Sequence, residues 1–156
     1  MTKNKAKRIK IFGEGGQGVQ FMADTLIRYL AKLGFYATFL PEYDAAVRGG
    51  QITAEVAFNQ KQTPCPQDTE FNAIFCLSGN EKTDGLVVDK KFQLSDLLDK
   101  DETYKNTRVL GQIISFLELP FNKEAILAAL PDKRKDSNYQ LVKEGYQAYG
   151  SQRTSG

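Results

Sequence analysis

The 156-residue sequence predicts an α/β fold of the Rossmann-like kind, a mostly parallel sheet flanked by helices with a helical C-terminal third. Three observations predict it. A short apolar run, Arg8 to Phe12, leads into the glycine-rich turn Gly13-Glu14-Gly15-Gly16-Gln17-Gly18. An amphipathic helical period follows directly, and further apolar or alternating runs of strand length come after it. Length and a hydrophobic content of 41% predict one domain over residues 1–150, with the small polar residues 151–156 as a disordered tail.

The elements follow in order. Arg8 to Phe12 reads as a buried strand with Ile9 and Ile11 on one face. Val19, Met22, Ala23, Leu26, Ile27, Leu30 and Leu33 recur at three- and four-residue intervals, which predicts a helix from about Gly18 to Leu33. Gly34 stands where a helix C-cap belongs. Phe35 to Leu40 reads as a second, parallel strand, because a helical crossover joins it to the first, and Pro41 ends it. Ile52 to Phe58 alternates apolar residues with Thr53, Glu55 and Ala57, the period of a strand with one more polar face.

Pro64 and Pro66 mark an extended connector, Ala73 to Leu77 a central strand, and Leu86 to Val88 a short one. The charged stretch Asp89 to Asn106 carries no pattern that places an element. From Thr107 the character is helical: Val109, Leu110, Ile113, Ile114 and Leu117 form one face and Pro120 stops it. Asn122 caps a second helix, Lys123 to Leu130, and Asn138 to Tyr149 forms a third.

Composition removes several kinds of chemistry. Lysine and arginine total 21 against 19 acidic residues, so the net charge of +2 gives no reason to expect nucleic acid. Lys3, Lys5, Lys7, Arg8 and Lys10 crowd the start, which reads as a solvated, frayed terminus blunting an edge strand. No apolar run is long enough for a membrane span or a signal peptide, and a cytoplasmic location is expected. With no histidine, Ser-His-Asp and Cys-His mechanisms and histidine metal sites are excluded within the chain. Cys65 and Cys76 cannot supply a four-ligand metal or cluster site, so neither a metal nor a catalytic residue is expected here.

The glycine turn itself admits three readings. Gly13, Gly15 and Gly18 have the spacing of a dinucleotide cradle, follow a strand and open a helix, and Glu42 beyond the second strand could accept a ribose hydroxyl. Glu14 weighs against it by setting a carboxylate where a pyrophosphate would lie. A triphosphate loop is disfavoured, since the lysine and Ser/Thr that hold phosphates and magnesium do not follow Gly18. The glycines could also serve only a tight turn and close helix-strand packing.

The combination is more specific than the turn. Gly13-x-Gly15-Gly16-Gln17-Gly18, then Pro41-x-Tyr43, then Arg48-Gly49-Gly50 leading into the strand Ile52 to Phe58, resembles the gamma subunit, or fused gamma domain, of the 2-oxoacid:ferredoxin oxidoreductases. That family includes the pyruvate, 2-oxoglutarate, 2-oxoisovalerate and indolepyruvate enzymes. The likeness recurs at Pro66, at Asn106-x-x-Val109-Leu110-Gly111 and at Gly145-Tyr146. Asn72 stands where the family commonly has an aspartate, and Asp44-Ala45-Ala46-Val47 departs from the family's Gly-x-Glu-x before the arginine.

The resemblance implies an accessory subunit working with alpha, beta and ferredoxin-like subunits that hold thiamine diphosphate and iron-sulfur clusters. The family's reaction is oxidative decarboxylation of a 2-oxoacid, with the acyl group passing to coenzyme A and electrons to ferredoxin. Site roles carry over to Gly13, Gly15, Gly16, Gln17 and Gly18 and to Tyr43, Arg48, Gly49 and Gly50. Backbone N–H groups of the first loop would meet an anion or a partner's carbonyls, and Gln17 would fix that contact. Arg48 would clamp a phosphate or carboxylate, or else anchor its loop to Glu42 or Asp44. Tyr43 would stack on a neighbouring chain or cover the core. The alternative function is a stand-alone nucleotide- or coenzyme A-binding regulatory module that keeps the fold without the enzyme.

Overall fold

The computed structural model describes residues 6–14, 18–43, 51–65, 69–77, 83, 85–92 and 105–155, with the backbone alone for 43, 105, 106 and 151–155. The chain divides into two compact units, Met1–Asp96 and Leu97–Gly156.

The first unit is built on β1 (Lys7–Glu14), α1 (Val19–Lys32), β2 (Tyr36–Tyr43), β3 (Gln51–Asn59), β4 (Glu70–Cys76) and β5 (Val87–Phe92). The strands form one sheet in the order β2-β3-β1-β4-β5. β4 runs parallel to β1 and β5 parallel to β4, whereas β3 is antiparallel to both β1 and β2. Four strands therefore point one way and β3 alone points back, so the sheet is mostly parallel in direction.

β2 does run parallel to β1, as the helical crossover requires, but it does not pair with it: β3 lies between them. A hairpin-like return from β2 places β3 beside the first strand, a pairing that local sequence does not encode. Pro41 does not end β2, which continues to Tyr43 with Pro41 opposite Ala54. Among the described residues β2 pairs on one side only, and an edge strand tolerates a proline whose missing donor would face outward.

Strand register sorts the two faces. Ile9 lies opposite Val56 and Ile11 opposite Ala54, all fully buried. α1 packs on β1, β2 and β3 with an apolar stripe of Val19, Met22, Ala23, Leu26, Tyr29 and Leu30, which suits that face. Burying such a stripe stabilises by roughly 1.5–3 kcal/mol per large side chain before entropy is counted. Gly18 opens α1 at φ 78°, a left-handed conformation that a β-carbon would strain. At its far end Phe35 N–H donates to Leu30 O and Gly34 N–H to Ala31 O, the paired bonds of a Schellman cap at the expected glycine.

β5 is longer than Leu86 to Val88 and runs to Phe92 through three charged residues. Phe92 explains the extension, since its ring stacks on that of Phe75 in β4 at 4.8 Å and 2°. Expectations for residues 93–104 lie outside the described residues.

The second unit holds α2 (Lys105–Phe116), α3 (Lys123–Ala129) and α4 (Lys135–Ser155). Val109, Leu110, Ile113, Ile114 and Leu117 are all buried, as their spacing predicts. Asn122 caps α3 by accepting the N–H of Ala125 at 3.0 Å. α4 packs along α2 and extends past the expected end at Tyr149, its backbone helical to Ser155 in place of the expected disordered tail. Phe121 links the elements, its ring 5.9 Å from Tyr139 and 5.0 Å from Tyr146 of α4. Tyr146 Oη donates to Leu119 O at 3.2 Å.

Candidate functional site

Three strand ends meet at one rim. Gly13 of β1 lies opposite Ile52 of β3, and Ile52 lies opposite Tyr43 of β2. At the usual strand spacing this brings the backbones of Gly13 and Tyr43 within roughly 10 Å. Glu14, the last residue before the glycine loop, lies opposite Gln51, the first residue after Arg48-Gly49-Gly50. Gly18, at the head of α1, closes the first loop. Of the predicted site residues, Gly13, Gly18 and the backbone of Tyr43 are thus described, and they anchor both loops. Gly15, Gly16, Gln17, Arg48, Gly49 and Gly50 lie outside the described residues.

The sheet face leading to this rim is polar. Register puts Arg8, Lys10, Phe12 and Glu14 of β1 on one face with Gln51, Thr53, Glu55 and Ala57 of β3. Arg8 Nη1 stands 3.8 Å from Glu55 Oε2, with both side chains almost fully buried at 11% and 5% exposure. Lys10 Nζ stands 3.8 Å from Glu42 Oε2. It also lies 5.5 Å from the Phe12 ring centroid and 5.7 Å from that of Phe71, within cation–π range. Gln51 Nε2, Thr53 Oγ1 and Thr38 Oγ1 are buried without a hydrogen-bond partner among the described residues. Such atoms retain hydrogen-bonding capacity that water or a ligand group would satisfy.

Two expectations change here. Arg8 and Lys10 do not belong to a solvated terminus blunting an edge: β1 is flanked by β3 and β4, and both cations are buried against carboxylates. Charge clustering along the sequence concealed their alternation onto one strand face. Glu42, a candidate ribose acceptor or anchor for Arg48, is engaged by Lys10 instead. No signal in the sequence pairs these two, because their contact passes across β3.

A cavity of about 190 Å³ lies at the other end of the strands, lined by residues that include Arg8, Glu70, Asn72 and Asp89. It is therefore separate from the loop rim. Cys76 is buried in an apolar cluster with Phe12, Phe71 and Ile74, while Cys65 is exposed. This pair does not fit an iron-sulfur cluster, which takes four cysteine ligands. Among the described residues no cluster of three metal-ligating side chains occurs, and no helix is long and apolar enough to cross a membrane.

An α/β unit with a single antiparallel strand set into its sheet and two loops on one rim defines a class of fold, and comparison with known proteins places it. The model of the pyruvate ferredoxin/flavodoxin oxidoreductase family matches residues 8–94, so the chain belongs to that family. The solved structures share the fold. The gamma subunit of a keto/oxoacid ferredoxin oxidoreductase from Geobacter sulfurreducens superposes with a TM-score of 0.69 at 18% identity, covering 94% of this chain and 98% of that one. A pyruvate oxidoreductase subunit from Thermotoga maritima gives 0.62 at 19% identity, covering 92% and 96%. The 2-oxoglutarate:ferredoxin oxidoreductase of Magnetococcus marinus, with 2-oxoglutarate, coenzyme A and succinyl-CoA bound, gives 0.64 at 16% identity, covering 96% of this chain and 31% of that one. A search of curated proteins finds no match.

Proposed function

We propose that this chain is the accessory gamma subunit of a 2-oxoacid:ferredoxin oxidoreductase complex, acting as one gamma-type domain in the cytoplasm. The observation that carries the reading is the family match over residues 8–94, which spans β1 to β5 and both loops of the rim. The shared fold with a gamma subunit over nearly the full length of both chains supports it.

In this reading alpha, beta and ferredoxin-like subunits hold thiamine diphosphate and the iron-sulfur clusters. They break the bond between the carboxyl and keto carbons, release carbon dioxide and pass the electrons to ferredoxin. The acyl group passes to the sulfur of coenzyme A. A sequence without histidine and with two unlike cysteines is suited to a supporting part in that chemistry. The gamma chain offers loop N–H groups at the head of α1, with Gln17, Tyr43 and Arg48, to a partner surface and to coenzyme A.

Co-expression with candidate alpha and beta chains, followed by size exclusion, tests this. The gamma chain is expected to elute with them. A chain that stays alone with every pairing, yet binds coenzyme A or a nucleotide saturably in calorimetry, would establish the stand-alone module instead.

A further inference from the structure

Lys10 occupies an unusual place for a lysine. It lies on an inner strand with its side chain 11% exposed, and lysine is almost never buried unless it is paired. The nearest carboxylate by register, Glu55, serves Arg8. Lys10 instead reaches past β3 to Glu42, whose side chain is 54% exposed.

That contact joins two strands that share no hydrogen bond. β2 is held by β3 alone among the described residues, and Pro41 supplies no N–H donor just before Glu42. Glu42 and Tyr43 are the last residues of β2, and the segment with Arg48 departs from them. A methionine at position 10 would fill the space between Phe12 and Phe71 without the desolvation cost of an ammonium. The charge therefore has a use that packing does not explain.

We propose that Lys10 is a positioning residue, fixing through Glu42 the end of β2 and hence the course of the loop that meets the partner subunits. This rests on the reading of the rim as a subunit-facing surface. Hydrogen exchange of the isolated chain gives the direct test, with assembly on the alpha and beta chains as the second readout. In Lys10→Met and Glu42→Gln, amides of residues 42–51 should exchange several-fold faster while those of β4 stay unchanged. Assembly should weaken about tenfold. The double variant should be no worse than either single one, and Lys10→Arg should restore both readouts.

Unchanged exchange in Lys10→Met overturns the inference whatever the assembly result. Faster exchange with unimpaired assembly overturns its functional part. A wild-type chain that assembles with no partner removes the underlying reading, and this inference with it.

Discussion

Gly111 of α2 and Gly145 of α4 mark the line along which the two helices touch backbone to backbone. A β-carbon on Gly111 would strike the carbonyl oxygen of Val142, and one on Gly145 would strike the carbonyl oxygen of Arg108. Beside the contact, Arg108 Nε donates to Glu144 Oε2 at 3.1 Å. The family-like segments around these two glycines, far apart in sequence, are thus one helix-helix contact.

Alanine at either position tests this by the sign of its effect. At an open helical site glycine to alanine would stabilise by about 1 kcal/mol. Here the obstacle is main chain, which cannot swing aside, so Gly111→Ala and Gly145→Ala should each cost about 3 kcal/mol. Thermal melts should fall by roughly 10 °C. An unchanged or raised Tm would show that the helices stand apart.

Removing Glu55 leaves the buried guanidinium of Arg8 without its carboxylate. Glu55→Ala should cost roughly 3 kcal/mol in urea titrations, whereas the double change Arg8→Met with Glu55→Leu should cost far less. Equal losses in the two variants would mean that packing, not charge, governs this face.

Asn72 explains one departure from the family pattern. Its Oδ1 accepts the backbone N–H of Arg8 at 2.8 Å, a task an aspartate performs equally well. Asn72→Asp should leave stability within about 1 kcal/mol, and Asn72→Leu should lose about 1–3 kcal/mol by orphaning that donor. Denaturant midpoints distinguish the two.

The glycine loop gives a prediction of another kind. A bulky residue at Gly16 should impair complex formation more than it lowers the Tm of the isolated chain, because the loop's use lies in close approach by another molecule. Pull-down against the partner chains beside a melt of the chain alone decides it. A large fall in Tm with intact assembly would make the loop a packing turn.

Much of this fold could be read from residue patterns, for reasons particular to each element. The period of α1 is a local property, and so are the cap at Asn122 and the glycine stop at Gly34. Strand neighbours are not local. Nothing between Phe35 and Phe58 states that β3, rather than β2, sits beside β1. Pro41 looks like a terminator until an edge position accommodates it, and β5 extends only because Phe92 finds Phe75. Arg8 and Lys10 look like part of a basic tail until Glu55 and Glu42 arrive from other strands. The site was legible as motifs, and its anchors, Gly13, Gly18 and Tyr43, fall together through the register of β1, β3 and β2.

The most direct test of the central claim is ferredoxin reduction driven by a 2-oxoacid and coenzyme A in a complex reconstituted with and without this chain. The substrates would be pyruvate, 2-oxoglutarate, 2-oxoisovalerate and indolepyruvate in turn. With the chain present, one of these acids should support coenzyme A-dependent reduction, and omitting the chain should abolish it. Full activity of the other subunits in its absence would contradict the account.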